Sequence, residues 1–135
     1  MKKNIKVIVD TNLWISWLIT KRQSRLNLLL SDSSISIISS TEQTEELFEV
    51  IKRSKFSKLI PSEIAEEFKI YFIQAVELHK VKLKVKASRD EKDDFLLALA
   101  KTANANFLIT GDKDLLVIKN FWNTKIITLT DYMEK

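Results

Sequence analysis

Ile5-Lys6-Val7-Ile8-Val9-Asp10-Thr11-Asn12 is the stretch on which the fold turns. Five short, mostly β-branched residues with no polar alternation read as a strand buried on both faces, the signature of a parallel sheet covered by helices. The run stops at a carboxylate. Behind it, Leu13, Trp14, Trp17 and Leu18 recur at helical spacing. A strand that gives way at once to a helix through Asp-Thr-Asn places polar side chains at the carboxyl end of the strand, where open α/β sheets bind their ligands.

The same alternation continues outward. A polar break at 21–24 divides the first helical stretch from a second carrying Leu26, Leu29 and Leu30. Ile35-Ser36-Ile37-Ile38 is a second strand. Ser40, with Gln43 three residues on, has the capping-box pattern that opens a helix to about Arg53. Pro61 suits the first position of another helix, running to about His79. Val81, Leu83 and Val85 alternate with Lys80, Lys82, Lys84 and Lys86 as in a half-buried strand, and Asp90 caps a helix to about Asn104. Asn106-Phe107-Leu108-Ile109-Thr110 is a fourth strand, residues 114–118 a short helix, and Lys125-Ile126-Ile127-Thr128-Leu129 a fifth strand. Strands separated by helices predict a three-layer α/β/α sandwich with a mostly parallel, about five-stranded sheet.

The 135 residues predict a single domain, 1–135, large enough for a core without staples. One Gly and one Pro exclude collagen-like and low-complexity chains, and the absence of Cys excludes a disulfide scaffold, a thiolate zinc site and a cysteine nucleophile. Val7-Ile8-Val9 is cut by Asp10, too short for a signal-peptide core, and no apolar run reaches the ~18–20 residues of a membrane span. A soluble cytoplasmic protein without a membrane partner is expected. The net charge of +4, from 22 basic and 18 acidic residues, is a mild bias toward polyanions, and it sharpens if the acids cluster.

They do cluster on the predicted topology. Strand one ends in Asp10-Thr11-Asn12, strand four in Thr110-Gly111-Asp112, and the helix opened by Asp90-Glu91-Lys92-Asp93-Asp94 starts at the same sheet edge. Asp93, Leu96, Leu97 and Ala100 share one helical stripe, so Asp93 faces the core, whereas Asp94 shares a wetter side with Ala98 and Lys101. On the preceding helix Glu46 lies about 40° round from Val50, at the edge of the stripe of Leu47, Val50 and Ile51, while Glu42, Glu45 and Glu49 point away. Asp10, Glu46, Asp93 and Asp112 are therefore expected to converge, with Asp90, Asp94 and Asp114 around them. Four carboxylates at close range raise one another's pKa or hold a cation, and an all-oxygen set favours Mg²⁺ or Mn²⁺. Such a site can take phosphate oxygens and activate water.

Each residue also has a plainer explanation: Asp10 and Asp112 as helix caps, Asp93 as part of a capping box, Lys80–Lys86 as guards of a solvated edge strand ahead of an RNA track. Trp14 and Trp17 suit core or subunit contact. His79, the sole histidine, suits the surface and supports no triad.

Val7-Ile8-Val9-Asp10-Thr11-Asn12-Leu13-Trp14-Ile15-Ser16 resembles the first motif of PIN-domain nucleases. Glu45-Glu46-Leu47 with the segment from Val50 to Phe56 resembles the family's central glutamate segment, Arg89 to Ala100 its third acidic motif, and Thr110-Gly111-Asp112-Lys113-Asp114 its fourth. The match is in order from residue 7 to about 130 and is closest to the VapC-like toxin branch of toxin–antitoxin systems, although Glu91 stands where that branch often has proline. The resemblance implies a PIN fold and a Mg²⁺- or Mn²⁺-dependent endoribonuclease. It carries metal roles onto Asp10, Glu46, Asp93 and Asp112 and supporting roles onto Asn12, Ser16 and Thr110. It implies an RNA substrate and a cognate antitoxin. A homodimer or higher homo-oligomer is expected from the apolar surface that Trp14, Trp17, Phe68, Tyr71 and Phe72 would otherwise expose.

Other classes fit less well. A receiver domain needs a phosphoacceptor Asp after strand three, where Lys86-Ala87-Ser88 stands, and a haloacid-dehalogenase-type phosphatase needs a second Asp at Asn12. A non-catalytic PIN-like RNA-binding or protein-interaction module remains the alternative, though it would be expected to have lost one or more of the acids.

Overall fold

The computed structural model describes residues 5–20 and 25–134, so the expected break at 21–24 lies outside the described residues. The sheet has six strands: β1 (Ile5–Val9), β2 (Ile35–Ser40), β3 (Val76–His79), β4 (Phe107–Ile109), β5 (Asn120–Phe121) and β6 (Thr124–Ile127). Their order is β3-β2-β1-β4-β6-β5. All neighbours are parallel except the short β5–β6 hairpin. The chain winds outward from β1 in one direction through β2 and β3 and in the other through β4 and β6. The reversal between β1 and β4 makes a crevice at their carboxyl ends.

Strand alternation sorts the core into two layers. Val7 and Val9 of β1, Ile37 of β2 and Ile109 of β4 point to one face. There they pack under α1 (Thr11–Ile19), α2 (Leu26–Leu30), α3 (Thr41–Val50) and α5 (Ser62–Ala75). Ile8, Ile38 and Leu108 point to the other, under α6 (Glu91–Ala103) and the short α7 (Lys113–Leu116). Two further short helices are α4 (Ser54–Ser57) and α8 (Leu129–Glu134). The expected three layers are present, with one strand more than expected.

Three local expectations differ. The helix that starts after Pro61 ends at Ala75, and the third strand is Val76–His79. The lysine-rich segment 80–86 pairs with no strand among the described residues, although its burial alternates as expected. The reason lies in β2. Its last residue, Ser40, pairs with His79, and α3 begins at Thr41, so a longer third strand has no neighbour beside it. Second, the capping box is half made. Ser40 Oγ accepts from the Gln43 N–H at 3.0 Å, but the Gln43 side chain turns inward, donating to the Val9 carbonyl and accepting from Ser39 Oγ, each at 2.9 Å. Third, Trp14, Trp17, Phe68 and Phe72 lie inside the chain, with Trp14 in edge contact with Trp17 at 5.8 Å and Phe72 at 5.0 Å. Helix α5 covers α1, so self-association cannot use these four rings; of that aromatic set only Tyr71 is exposed.

Candidate active site

Asp10 ends β1 and caps α1. Its Oδ1 accepts the Asn12 N–H at 3.3 Å, and its Oδ2 accepts the Thr110 hydroxyl at 2.6 Å. Burial pushes its pKa up, the two hydrogen bonds oppose this, and Asp112 and Glu46 add negative potential. Thr110 is buried at the end of β4 and works in both directions: the same Oγ1 that donates to Asp10 accepts the Asp112 N–H at 3.0 Å. One hydroxyl thus ties the carboxyl ends of the two central strands together. Asp112 in turn caps α7 through Oδ1, which accepts the Asp114 N–H at 2.8 Å. Capping and clustering are compatible here, because a cap uses one carboxylate oxygen and leaves the second.

Helix α6 supplies the third acid. Asp90 caps it by accepting the Lys92 N–H at 2.9 Å, and one turn on Asp93 is buried against Asp112. Oxygens of Asp93, Asp112 and Asp114 lie within 4.8 Å of one another. Desolvation first, then the hydrogen bond to Asp112 and the charges of Asp112, Asp90 and Asp10, raise the Asp93 pKa from 3.8 to about 7. Asp94 does not face solvent, as helical phase suggests. Its Oδ1 accepts the N–H groups of Ala87 and Ser88 at 2.8 and 2.7 Å, so the incoming loop folds over it and buries it. Its neighbour Ser88 reaches Asp93 Oδ2 at 3.5 Å.

A cleft of about 590 Å³ opens over this edge, and Asp10, Asn12, Glu46, Asp90, Asp93 and Asp112 all line it. Glu46 reaches it half-buried, accepting the Thr11 hydroxyl at 3.5 Å and facing Lys92 at 3.6 Å. The tightest acidic group among the described residues is nevertheless Asp93, Asp112 and Asp114, not the expected four; Asp10 and Glu46 line the same cleft outside that group. Asp114 also holds Arg89 in a 2.8 Å ion pair. Ser16 is exposed one turn past Asn12 and does not line the cleft. Sequence reasoning missed Glu42, Arg53, Lys55 and Lys92, all of which do. Glu42, expected from helical phase to point away, lines the cleft because it precedes Glu46 by one helical turn at the start of α3. Arg53 and Lys55 were not legible, because they follow the end of α3 and their direction depends on how α4 turns.

The four segments that meet here, from the ends of β1 and β4 and from α3 and α6, carry the motifs singled out in the sequence. A family model described as PIN domain matches residues 6–114. The chain belongs to the PIN domain family. Among curated proteins, none matches it in sequence. Among solved structures, this PIN domain is similar to a chain in the crystal structure of VapBC2 from Rickettsia felis bound to a DNA fragment from their promoter. The likeness has a TM-score of 0.57 over 90% of this chain and 97% of that one, at 16% identity, which speaks for a shared fold. Among the described residues no helix is long and apolar enough to cross a membrane.

Proposed function

We propose that this PIN domain is a Mg²⁺- or Mn²⁺-dependent endoribonuclease and the toxin component of a toxin–antitoxin pair, acting in the cytoplasm. The observation that carries the hydrolytic part is the Asp93–Asp112–Asp114 group, whose oxygens lie within 4.8 Å of one another at the sheet's switch point. An all-carboxylate donor set suits a hard divalent cation. The raised pKa of Asp93 marks negative charge that the protein leaves uncompensated. Asp93 and Asp112 are the first choice as ligands, with Asp10 and Glu46 behind them and Asp114 as a third close oxygen. A bound Mg²⁺ or Mn²⁺ supplies positive charge that polarises a phosphoryl oxygen and acidifies water.

The chain's own residues have separable tasks in this proposal. Thr110 fixes the spacing of Asp10 and Asp112 through its single hydroxyl. Asp112 Oδ1 is committed to the Asp114 N–H, and the same carboxylate meets Asp93 at the cleft. Asp93 holds its proton toward neutrality while the site is empty of metal, and a cation bound there would displace that proton. Arg53 and Lys55, which also line the cleft, can hold the phosphates on either side of the scissile bond. The toxin assignment draws on the sequence motifs together with the shared fold, and it implies a cognate antitoxin as partner.

The test is cleavage of a panel of single-stranded and structured RNAs in Mg²⁺, in Mn²⁺ and in EDTA. Internal cuts that need the metal are expected. RNA binding with no cleavage in either metal would assign the domain to the non-catalytic alternative.

A further inference from the structure

We propose that Lys80, Lys82, Lys84 and Lys86 form a cationic track that holds the phosphate backbone of a single RNA strand and leads it to the acidic cleft. The proposal rests on the nuclease assignment for its choice of polyanion. The alternation of lysine with Val81, Leu83 and Val85 would ordinarily be put down to an edge strand protecting itself. That explanation fails here, because the edge strand is Val76–His79 and the lysines lie beyond it. Val81 and Val85 pack on the core layer under α6, and Leu83 is half-buried. The four lysines are left exposed on the other side. Alternate residues of an extended segment stand about 6–7 Å apart, which makes a row of ammonium groups rather than a cluster.

The row runs from the end of the edge strand to the cleft. It begins after His79, which pairs with the last residue of β2 where α3 starts. It ends at Ala87 and Ser88, which are tethered to Asp94, with Ser88 Oγ at 3.5 Å from Asp93. Charge bookkeeping favours it: Arg53 and Lys55 within the cleft are the other nearby cations that no ion pair takes up among the described residues, and the track is the unpaired cationic run outside it. Arg89 is taken up by Asp114 and Lys92 by Glu46, so these cations at the cleft offset the protein's own acids. Among the described residues, none of the four track lysines makes an ion pair. A cleft lined by seven acids repels a polyanion, and the attraction that brings one there has to come from cations the protein has not already paired. Such contacts grip phosphates and read no bases.

The experiment measures binding of a short fluorescein-labelled single-stranded RNA by anisotropy, in EDTA so that no cleavage occurs, across a salt series. Three proteins are compared with the parent: the four track lysines changed to Gln, the same four changed to Arg, and a control in which exposed Lys52, Lys58, Lys119 and Lys125 are changed to Gln. Loss of four phosphate contacts should weaken binding at low salt by at least about tenfold and flatten the log–log salt slope by about 3. The Arg variant should bind as the parent does, and circular dichroism melts confirm that each variant folds. Equal weakening by the track and control sets would show only net charge at work and overturn the track. Unchanged RNA binding by the track variant would overturn it too, as would loss of binding to an acidic peptide alone, which would hand the surface to a protein partner. Metal-dependent cleavage by the parent is scored separately. If cleavage is present and the track variant binds normally, the track fails alone; if cleavage is absent while track-dependent binding persists, the nuclease assignment fails alone.

Discussion

Two neighbouring strand-to-helix junctions on one sheet edge are built on opposite principles. At the end of β2, Ser39, Ser40, Gln43 and Thr44 are buried and neutral, and they satisfy one another and the Val9 carbonyl. Nothing is left over. At the ends of β1 and β4, Asp10, Thr110 and Asp112 make the same kinds of cap and bridge, but from carboxylates, with Asp93 pressed against them. There the hydrogen bonds are made and the charge remains. The first junction is fully satisfied and adds stability. The second is satisfied in geometry and crowded in charge, at some cost to its own stability, as the proposed cation site requires.

The largest effect should come from removing one charge on the crowded side. Asp112→Asn keeps the cap on α7 and the shape of the side chain, and should lower metal-dependent RNA cleavage by more than about a hundredfold. The metal-free mutant should melt at or above the temperature of the metal-free parent, since a like-charge contact is relieved. The contrasting change, Gln43→Ala, removes the amide that donates to the Val9 carbonyl and leaves the Ser39 hydroxyl only its 3.4 Å contacts with the Ser40 carbonyl and Thr44 Oγ1, and should destabilise by about 1–3 kcal/mol by chemical denaturation. If Asp112→Asn destabilised as Gln43→Ala does, the two junctions would not differ in kind. Between these lies Thr110→Val, which removes the hydroxyl shared by Asp10 and Asp112 while keeping the volume. A loss of about 10–100-fold in activity is expected, with the folded state retained, as for groups that orient metal ligands. Unaltered activity would mean that Asp10 holds its position without the bridge.

The chemistry of the crowded junction was legible in the sequence, and the details of its assembly were not. Helical phase put Asp93 inward and Glu46 at the edge of its stripe, because periodicity along one helix needs no knowledge of neighbours. Phase misplaced Asp94, because what buries it is the loop at 87–88, which belongs to another element. It also left the lysine segment as a strand, since alternation reports which side faces water but not whether a partner strand lies alongside. The aromatic set on α1 and α5 was ambiguous for a related reason. Composition shows that Trp14, Trp17, Phe68 and Phe72 must be covered, and only the docking of α5 over α1 shows that they cover one another.

The smallest effect is a slope in pH, and it separates the two junctions without any mutation. Asp93 has a folded-state pKa of about 7 against an ordinary value of 3.8, and Asp10 is shifted in the same direction. Between those values the folded protein holds protons that the unfolded chain has lost, so stability must fall as pH rises. Below about pH 4 both states are protonated and the effect vanishes. Above about pH 7 the full penalty is present. The lowered pKa values of Glu77 and Asp32 act the other way, but their contribution is complete above the ordinary carboxylate range and leaves the neutral window to the cleft. In EDTA, the melting temperature should therefore decline by a few degrees from pH 5 to pH 8, and Asp93→Asn should flatten that decline. Gln43→Ala should lower the whole curve without changing its slope, because nothing in its network titrates. Mg²⁺ should reverse the trend, raising the melt more at pH 8 than at pH 5, since a cation binds the ionised carboxylates and competes with protons for them. A curve that stays flat from pH 5 to pH 8 with and without Mg²⁺ would show that the carboxylates carry no stored charge, and the contrast between the junctions would be one of residue type alone.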